Sequence, residues 1–277
     1  MTQPRSWVTV KVNPGAESDA VLAALFDAGA QGVQEIAGLY VTHVESEQLA
    51  NQLCAAALGA NPDAQVETAP LPDVDWTEKW KQGIHVQSLG ELSVAPPWLA
   101  DSLDPAKTIV IEPAMAFGTG EHATTRGVVR LMQRVMRGGA RVADLGAGSA
   151  VLAIAAAKLG AGSVAAIEID HDAIGNAEEN VARNGVGDVV RVIEGDASLL
   201  LPLVAPVDIV LANIISSVLI ELLPALGAAL ASDGYAILSG MLFVEREEMV
   251  RAFEDAGWRV DDEDHEDAWW SATLVRR

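Results

Sequence analysis

Val142-Ala143-Asp144-Leu145-Gly146-Ala147-Gly148-Ser149-Ala150 is an apolar strand running into a glycine turn, and the Ala/Leu/Ile-rich stretch through about Leu159 continues it as a helix. Glycines at such a turn let a ligand approach the backbone where any side chain would block it. Working outward, Ser163-Val164-Ala165-Ala166-Ile167-Glu168-Ile169-Asp170 is a short apolar strand that ends in an acid about twenty residues after the turn. From that position such folds hydrogen-bond a ribose, and Glu168 is the candidate for the contact. Asp196 follows the next strand, and Val207-Asp208-Ile209-Val210-Leu211-Ala212-Asn213 is a further apolar strand ending on an amide, a group able to grip a substrate amine. The order of glycine turn, acid-tipped strand, Asp196 and Asn213 points to a methyl-donor pocket. The rival reading is a dinucleotide site. Its fingerprint wants a third glycine three places after the second, to let helix and strand pack closely and seat a pyrophosphate, and Val151 stands there instead.

With 277 residues, half of them apolar, the chain is long enough for one large or two ordinary domains with a sizeable core. No run of about eighteen uninterrupted apolar residues occurs, and Arg5 followed by alternating Trp7, Val8, Val10 and Val12 reads as a strand rather than a signal peptide. Neither membrane insertion nor secretion is expected. Cys54 is the single cysteine, which excludes an internal disulfide and a thiolate-cluster metal site and fits a cytoplasmic protein. A formal charge of −21 argues against direct nucleic-acid binding, which needs a local excess of Lys and Arg, and suits a basic partner or simply an acidic, soluble surface.

Residues 6 to 69 carry strand and helix signals in the order of a ferredoxin-like α+β domain. They are a strand over Ser6 to Val12, a helix over Glu17 to Ala28, strands over Gln31 to Ile36 and Leu39 to Val44, a helix over Ser46 to Leu58 with Ser46 as cap, and a strand over Ala64 to Thr68. His43 and His85 have no metal-ligand spacing, and binding is the job expected of this domain. The expected organisation is residues 1-69 as substrate-binding domain, 70-107 as linker and connecting segment, where Trp76 and Trp80 share one face of a short helix, and 108-277 as a doubly wound α/β domain. Ala116-Phe117-Gly118-Thr119-Gly120-Glu121-His122-Ala123-Thr124-Thr125 is a hydroxyl-rich loop leading into a helix over Thr125 to Arg137 and able to close over a polar ligand. No second ligand sits at metal spacing from His122, so no metal is expected. Further on, Ser216 to Ala231 reads as a helix with Asp233-Gly234 as the turn into a strand over Tyr235 to Leu238, and Val244 to Ala256 as another helix. Trp258 to Val260 and Trp269 to Val275 read as a last antiparallel pair. Six acids in the seven residues Asp261 to Asp267 are expected to form a solvated turn, the alternative being an acidic lip that draws in a lysine-rich substrate.

The Ala116-to-Thr125 run, Asp144-Leu145-Gly146-Ala147-Gly148-Ser149, Leu152 to Ala161, and Ala212-Asn213-Ile214 together closely resemble the methyltransferases of large-subunit ribosomal protein L-11. The resemblance covers nearly the whole chain, including Trp76, Trp80 and Leu238-Ser239-Gly240-Met241. It implies a Rossmann-like class I methyltransferase domain behind a small domain that captures the ribosomal protein. It further implies S-adenosylmethionine as methyl donor and lysine side-chain or N-terminal amines as acceptors. Matched position by position, the cofactor contacts fall on Thr125, Gly146, Glu168 and Asn213; Gly148 and Asp196 join them as cofactor-binding candidates from the glycine turn and the strand order, and Asn213 is also the catalytic candidate. The enzyme is expected to be a monomer. Departures from the family pattern are Ala150 for the usual glycine, Glu168 for the usual aspartate and Pro113-Ala114-Met115 for proline-glycine-leucine. The competing readings are a methyltransferase of the same build acting on lysine of another protein, a methyltransferase acting on RNA, which the acidic charge and the absence of a basic, aromatic-rich stripe disfavour, and a non-catalytic interaction scaffold.

Overall fold

Val8, Val10 and Val12 alternate with Thr9 and Lys11, the period of a strand with one covered face. In the computed structural model, which describes residues 7–70, 84–112 and 120–277, they are the buried side of β1 (Val8–Asn13). The chain divides into two units, Met1–Gly83 and Ile84–Arg277. In the first, β1 is followed by α1 (Ser18–Asp27), β2 (Gln34–Ile36), β3 (Leu39–Val44), α2 (Glu47–Ala60) and β4 (Gln65–Pro70). The four strands form an antiparallel sheet in the order β2-β3-β1-β4. Val21 and Leu25 of α1 and Ala50, Leu53 and Ala57 of α2 share a core with the valines of β1. Ser46 caps α2, its hydroxyl accepting from the Leu49 N–H at 3.2 Å. Trp76 and Trp80 lie outside the described residues.

The second unit starts with a small sheet, β5-β6-β7, from β5 (Gln87–Leu89), β6 (Leu92–Ala95) and, after the short α3 (Pro97–Ala100), β7 (Thr108–Val110). Part of the stretch expected to connect the domains therefore has strand pairing of its own. Then come α4 (Ala123–Val135), β8 (Arg141–Leu145), α5 (Val151–Lys158), β9 (Ser163–Glu168), α6 (His171–Arg183), β10 (Val190–Glu194) and α7 (Ala197–Leu200). The remaining elements are β11 (Val207–Asn213), α8 (Ser216–Ala229), β12 (Leu230–Leu242), α9 (Arg246–Asp255), β13 (Trp258–Glu266) and β14 (Trp269–Arg276). Seven strands form one sheet in the order β10-β9-β8-β11-β12-β14-β13, parallel through β12, with β14 and β13 antiparallel. Strands covered on both faces need near-continuous apolar runs, and β8 and β11 supply them; Val151 to Ala156 of α5 are all buried. The chain winds outward from β8 to β10 and then returns to place β11 on the other side of β8. The resulting crevice lies at the carboxyl ends of β8 and β11, where open α/β sheets bind ligands.

Two expectations from the sequence are corrected here. Asp233-Gly234 is not a separate turn. The pairing of β11 with β12 jumps from Val207↔Leu230 to Ile209↔Tyr235, so residues 231–234 bulge from one long strand that α8 enters directly at the buried Leu230. The acidic run is not a solvated turn or a free acidic lip either, because most of it is β13. Strand alternation sends Asp262, Asp264 and Glu266 to one face, where Arg134, Arg130 and Arg126, spaced four apart on α4, meet them. Arg134 reaches Asp262 at 2.7 Å, Arg130 reaches Asp264 and Glu266 at 2.8 Å each, and Arg126 Nε reaches Glu266 at 2.8 Å. Glu263, in turn, accepts from Arg246 at 2.6 Å and from the Trp270 indole N–H at 2.9 Å. What reads as excess charge is half of a zipper.

Candidate active site

A cavity of about 560 Å³ opens at the carboxyl ends of β8, β9 and β11. Its floor is the glycine turn after β8. Gly146 has φ +67, and a Cβ there would sit 2.8 Å from Ile214 Cγ2, so neither the backbone angle nor the space admits a side chain. Glu168, at the end of β9, is buried and its carboxylate is fixed by backbone donors: Oε2 accepts from Gly148 N–H at 2.7 Å, and Oε1 from Ile169 and Asp170 N–H at 2.9 Å each. The carboxylate thus bridges the glycine turn to the end of its own strand. Thr125, in the first turn of α4, is fully buried and lines the cavity, and its hydroxyl has no hydrogen-bond partner among the described residues. Leaving such a group unmet costs about 1–3 kcal/mol, so the hydroxyl is a ready contact for a polar ligand. Thr125, Gly146, Gly148, Glu168 and Asn213 all line this one cavity.

Asp196 does not join them. It is exposed and caps α7, its Oδ1 accepting from Ser198 N–H at 2.8 Å, and bonds from the Ser198 side chain and backbone hold its carboxyl below the usual range. Its carboxylate serves as a helix cap, a local preference of Asp that position in the chain order did not reveal. Ala150, where the family pattern has glycine, is also outside the cavity. It precedes α5 at φ 64 with its methyl fully buried. The departure therefore acts on the backbone, where a left-handed alanine costs about 1–2 kcal/mol.

Below the turn, Asp144 is fully buried. Oδ2 accepts from Ala153 N–H at 2.9 Å, while Oδ1 has no partner among the described residues. Burial pushes its carboxyl up to about 7, the charge of Glu168 adding to the rise and the Ala153 N–H opposing it. Asn180 of α6 ties the turn to the chain beyond β7, donating to Ser149 O at 3.1 Å and accepting from Glu112 N–H at 3.1 Å. Asn184 does the same for Val110, through bonds of 2.7 and 2.8 Å. The segment that follows, Pro113 to Thr119 of the hydroxyl-rich loop, lies outside the described residues.

A second cavity, of about 270 Å³, meets the first at Asn213, Ile214 and Ile215 and is completed by His122, Thr124, Gly240 and Trp269. The Ile214 peptide is held on both sides. Its N–H donates to Ser239 O at 3.1 Å, and its carbonyl oxygen lies where a Cβ on Gly240 would come within 2.3 Å, at a backbone φ of +87 that glycine adopts freely. His122 caps α4, with Nδ1 2.7 Å from Thr124 Oγ1, and its ring meets Trp269 edge to face at 4.8 Å. Burial first, and then the charge of Arg126, hold the imidazole pKa below its ordinary value. Among the described residues no group of three or more His, Cys, Asp or Glu is placed to hold a metal ion. Sequence reasoning missed Ile215, Trp269 and the part that Gly240 plays. A signal existed for Trp269: in a strand, two adjacent tryptophans face opposite ways, so with Trp270 in the core Trp269 has to leave it.

A family model described as "Ribosomal protein L11 methyltransferase (PrmA)" matches residues 7–277. A protein of Chloroflexus aurantiacus named ribosomal protein L11 methyltransferase is 38% identical over 240 residues, 78% of this chain and 73% of its own. Another of that name, from Lacticaseibacillus paracasei, is 31% identical over 277 residues, covering 98% of this chain and 83% of its own. The crystal structure of ribosomal protein L11 methylase from Lactobacillus delbrueckii subsp. bulgaricus superposes with a TM-score of 0.63 at 33% identity, over 70% of this chain and all of that one.

Proposed function

The chain belongs to the ribosomal protein L11 methyltransferase family, and from that premise we propose that it transfers methyl groups from S-adenosylmethionine to lysine side-chain or N-terminal amines of ribosomal protein L11. The observation that carries this reading is Asn213, at the carboxyl end of β11, which lines both cavities and so stands where donor and acceptor would meet. The larger cavity suits the donor. It combines a glycine floor that admits close approach, a buried hydroxyl in want of a partner, and a fixed carboxylate for ribose hydroxyls. S-adenosylmethionine, when bound, supplies a methyl group already activated by its sulfonium, so the chain has to supply position.

Thr125, Gly146, Gly148 and Glu168 hold the donor. The amine enters the smaller cavity, against Trp269 and Ile215, where loss of water disfavours its charged form. Handing a proton from a lysine ammonium, pKa about 10.4, to an imidazole below 6.5 costs more than about 5 kcal/mol. The ammonium therefore gives its proton to bulk water rather than to His122, and desolvation in the cavity keeps the amine uncharged. Asn213 Oδ1 and the Ile214 carbonyl accept the remaining amine hydrogens and aim the nitrogen lone pair toward the donor cavity. The small unit captures the protein substrate, and the enzyme works as a cytoplasmic monomer without binding nucleic acid. No helix among the described residues is long and apolar enough to cross a membrane.

Transfer of labelled methyl from S-adenosylmethionine to purified L11 tests the reading. The Asn213→Ala variant should lose about a hundredfold in turnover while donor affinity stays within a few-fold. Donor binding with no label in L11 would send the acceptor search to other proteins, and unchanged turnover in the variant would remove Asn213 from the chemistry.

A further inference from the structure

We infer that an apolar ridge beside the acceptor cavity, made by Ile215, Leu242, Phe243 and Val244, gives the acceptor protein a second point of docking besides its capture by the small unit, by burying an apolar side chain that lies next to the amine it presents. The inference rests on the reading that the acceptor is a polypeptide, and it adds where that polypeptide is gripped. Val244 is 87% exposed, Ile215 65% and Phe243 45%. Isolated exposed apolar residues need no explanation, but a contiguous set marks an interaction surface. One carboxylate brings their two segments together: Glu245 Oε2 accepts from Ser216 Oγ, next to Ile215, and from Leu242 N–H, each at 2.8 Å.

The ridge is also stiff. Phe243 N–H donates to Ala268 O at 2.8 Å, its ring stacks on His265 with centroids 4.1 Å apart, and Leu242 pairs in register with Trp269. A surface already fixed in shape loses little freedom on binding. Its position says what covers it. Ile215 and Trp269 line the acceptor cavity, so the ridge continues directly from the mouth through which the amine has to enter. Its surroundings suit a basic partner, since Glu248 and Asp267 are exposed nearby in sequence and the chain carries a net −21. A lysine-bearing segment with an apolar neighbour meets both requirements.

The test measures methyl transfer to L11 by the full chain carrying Val244→Asp or Val244→Ile. Val244 lines neither cavity, so donor binding should match the wild type in both. With Val244→Asp the KM for L11 should rise about tenfold or more, the loss expected when one valine can no longer be buried against its partner, while Val244→Ile should stay near the wild-type value. Wild-type KM with Val244→Asp would overturn the ridge and leave the proposed activity standing. Absence of label in L11 with the wild-type chain would instead bring down the activity first and the ridge with it. A fall in native mass caused by Val244→Asp would show that a second copy of the chain covers the ridge, and would also overturn the inference.

Discussion

Replacing Arg130 by Gln removes the middle tooth of the zipper between α4 and β13. Arg130 is 30% exposed, and its partners Asp264 and Glu266 are 12% and 29% exposed. Breaking a fully buried pair costs about 3–5 kcal/mol because the carboxylate left behind is desolvated and uncompensated, whereas exposed pairs contribute about 0–1 kcal/mol. Asp264 stands near the first limit and Arg130 keeps a third of its side chain in water, which places the cost at about 2–3 kcal/mol by interpolation. Arg134 and Asp262, at 49% and 38% exposed, fall at the other limit, so Arg134→Gln should cost less than about 1 kcal/mol. Urea unfolding followed by tryptophan fluorescence measures both, with Trp258, Trp269 and Trp270 reporting from the two strands concerned. The pH dependence supplies an independent check. Arg126, and after it Arg130, hold the Glu266 carboxyl below its ordinary range, and Arg134 does so for Asp262. A depressed carboxylate pKa gives stability that is complete above the unfolded value, about 4, and is lost as pH falls through the lower folded value. The gap between wild type and Arg130→Gln should accordingly be constant from about pH 5 to 8 and narrow below about 4 by the share that runs through Glu266. Equal costs for the two variants, or a gap that does not narrow in acid, would refute the argument that desolvated charge sets the magnitude.

Two further outcomes follow from the donor cavity. Gly146→Ala should weaken S-adenosylmethionine binding by at least about tenfold and destabilise the fold by about 1–2 kcal/mol, since its methyl group would lie 2.8 Å from Ile214 Cγ2 at a φ of +67; calorimetric titration and thermal unfolding check the two parts. Asp144→Asn keeps an acceptor for the Ala153 N–H and removes a carboxyl whose pKa stands at about 7. A raised carboxylate pKa means that wild-type stability falls as pH rises from about 4 to about 7. The variant should therefore gain on the wild type by a few kcal/mol across that window, and parallel stability curves would show that Asp144 titrates normally.

Much of the catalytic domain was legible because its parallel strands have to be apolar throughout and its glycine turn has to be bare, two constraints that leave marks at fixed spacing. Gly146, Glu168 and Asn213 could be picked out for the same reason, as each terminates a recognisable strand. Asp196 was less legible, because an acid after a strand also serves as a helix cap, as it does here, and strand order does not separate that use from a ligand contact. The acidic run misled for another reason. Its partners Arg126, Arg130 and Arg134 lie some 130 residues away, and a count of local charge has no means of pairing acids with bases over that distance. The acceptor cavity was the least legible part. It is walled by Ile215, Gly240 and Trp269, which are ordinary residues brought together by the sheet order.

That same separation has a temporal meaning. Translation makes α4 about 130 residues before β13, so for an interval the growing chain displays three arginines in a row with no acid yet made to receive them. Those acids arrive with β13, and its neighbour β14 brings Trp269 to the wall of the smaller cavity. Neutralisation of the three arginines and closure of one wall of the smaller cavity are therefore the work of the same two strands.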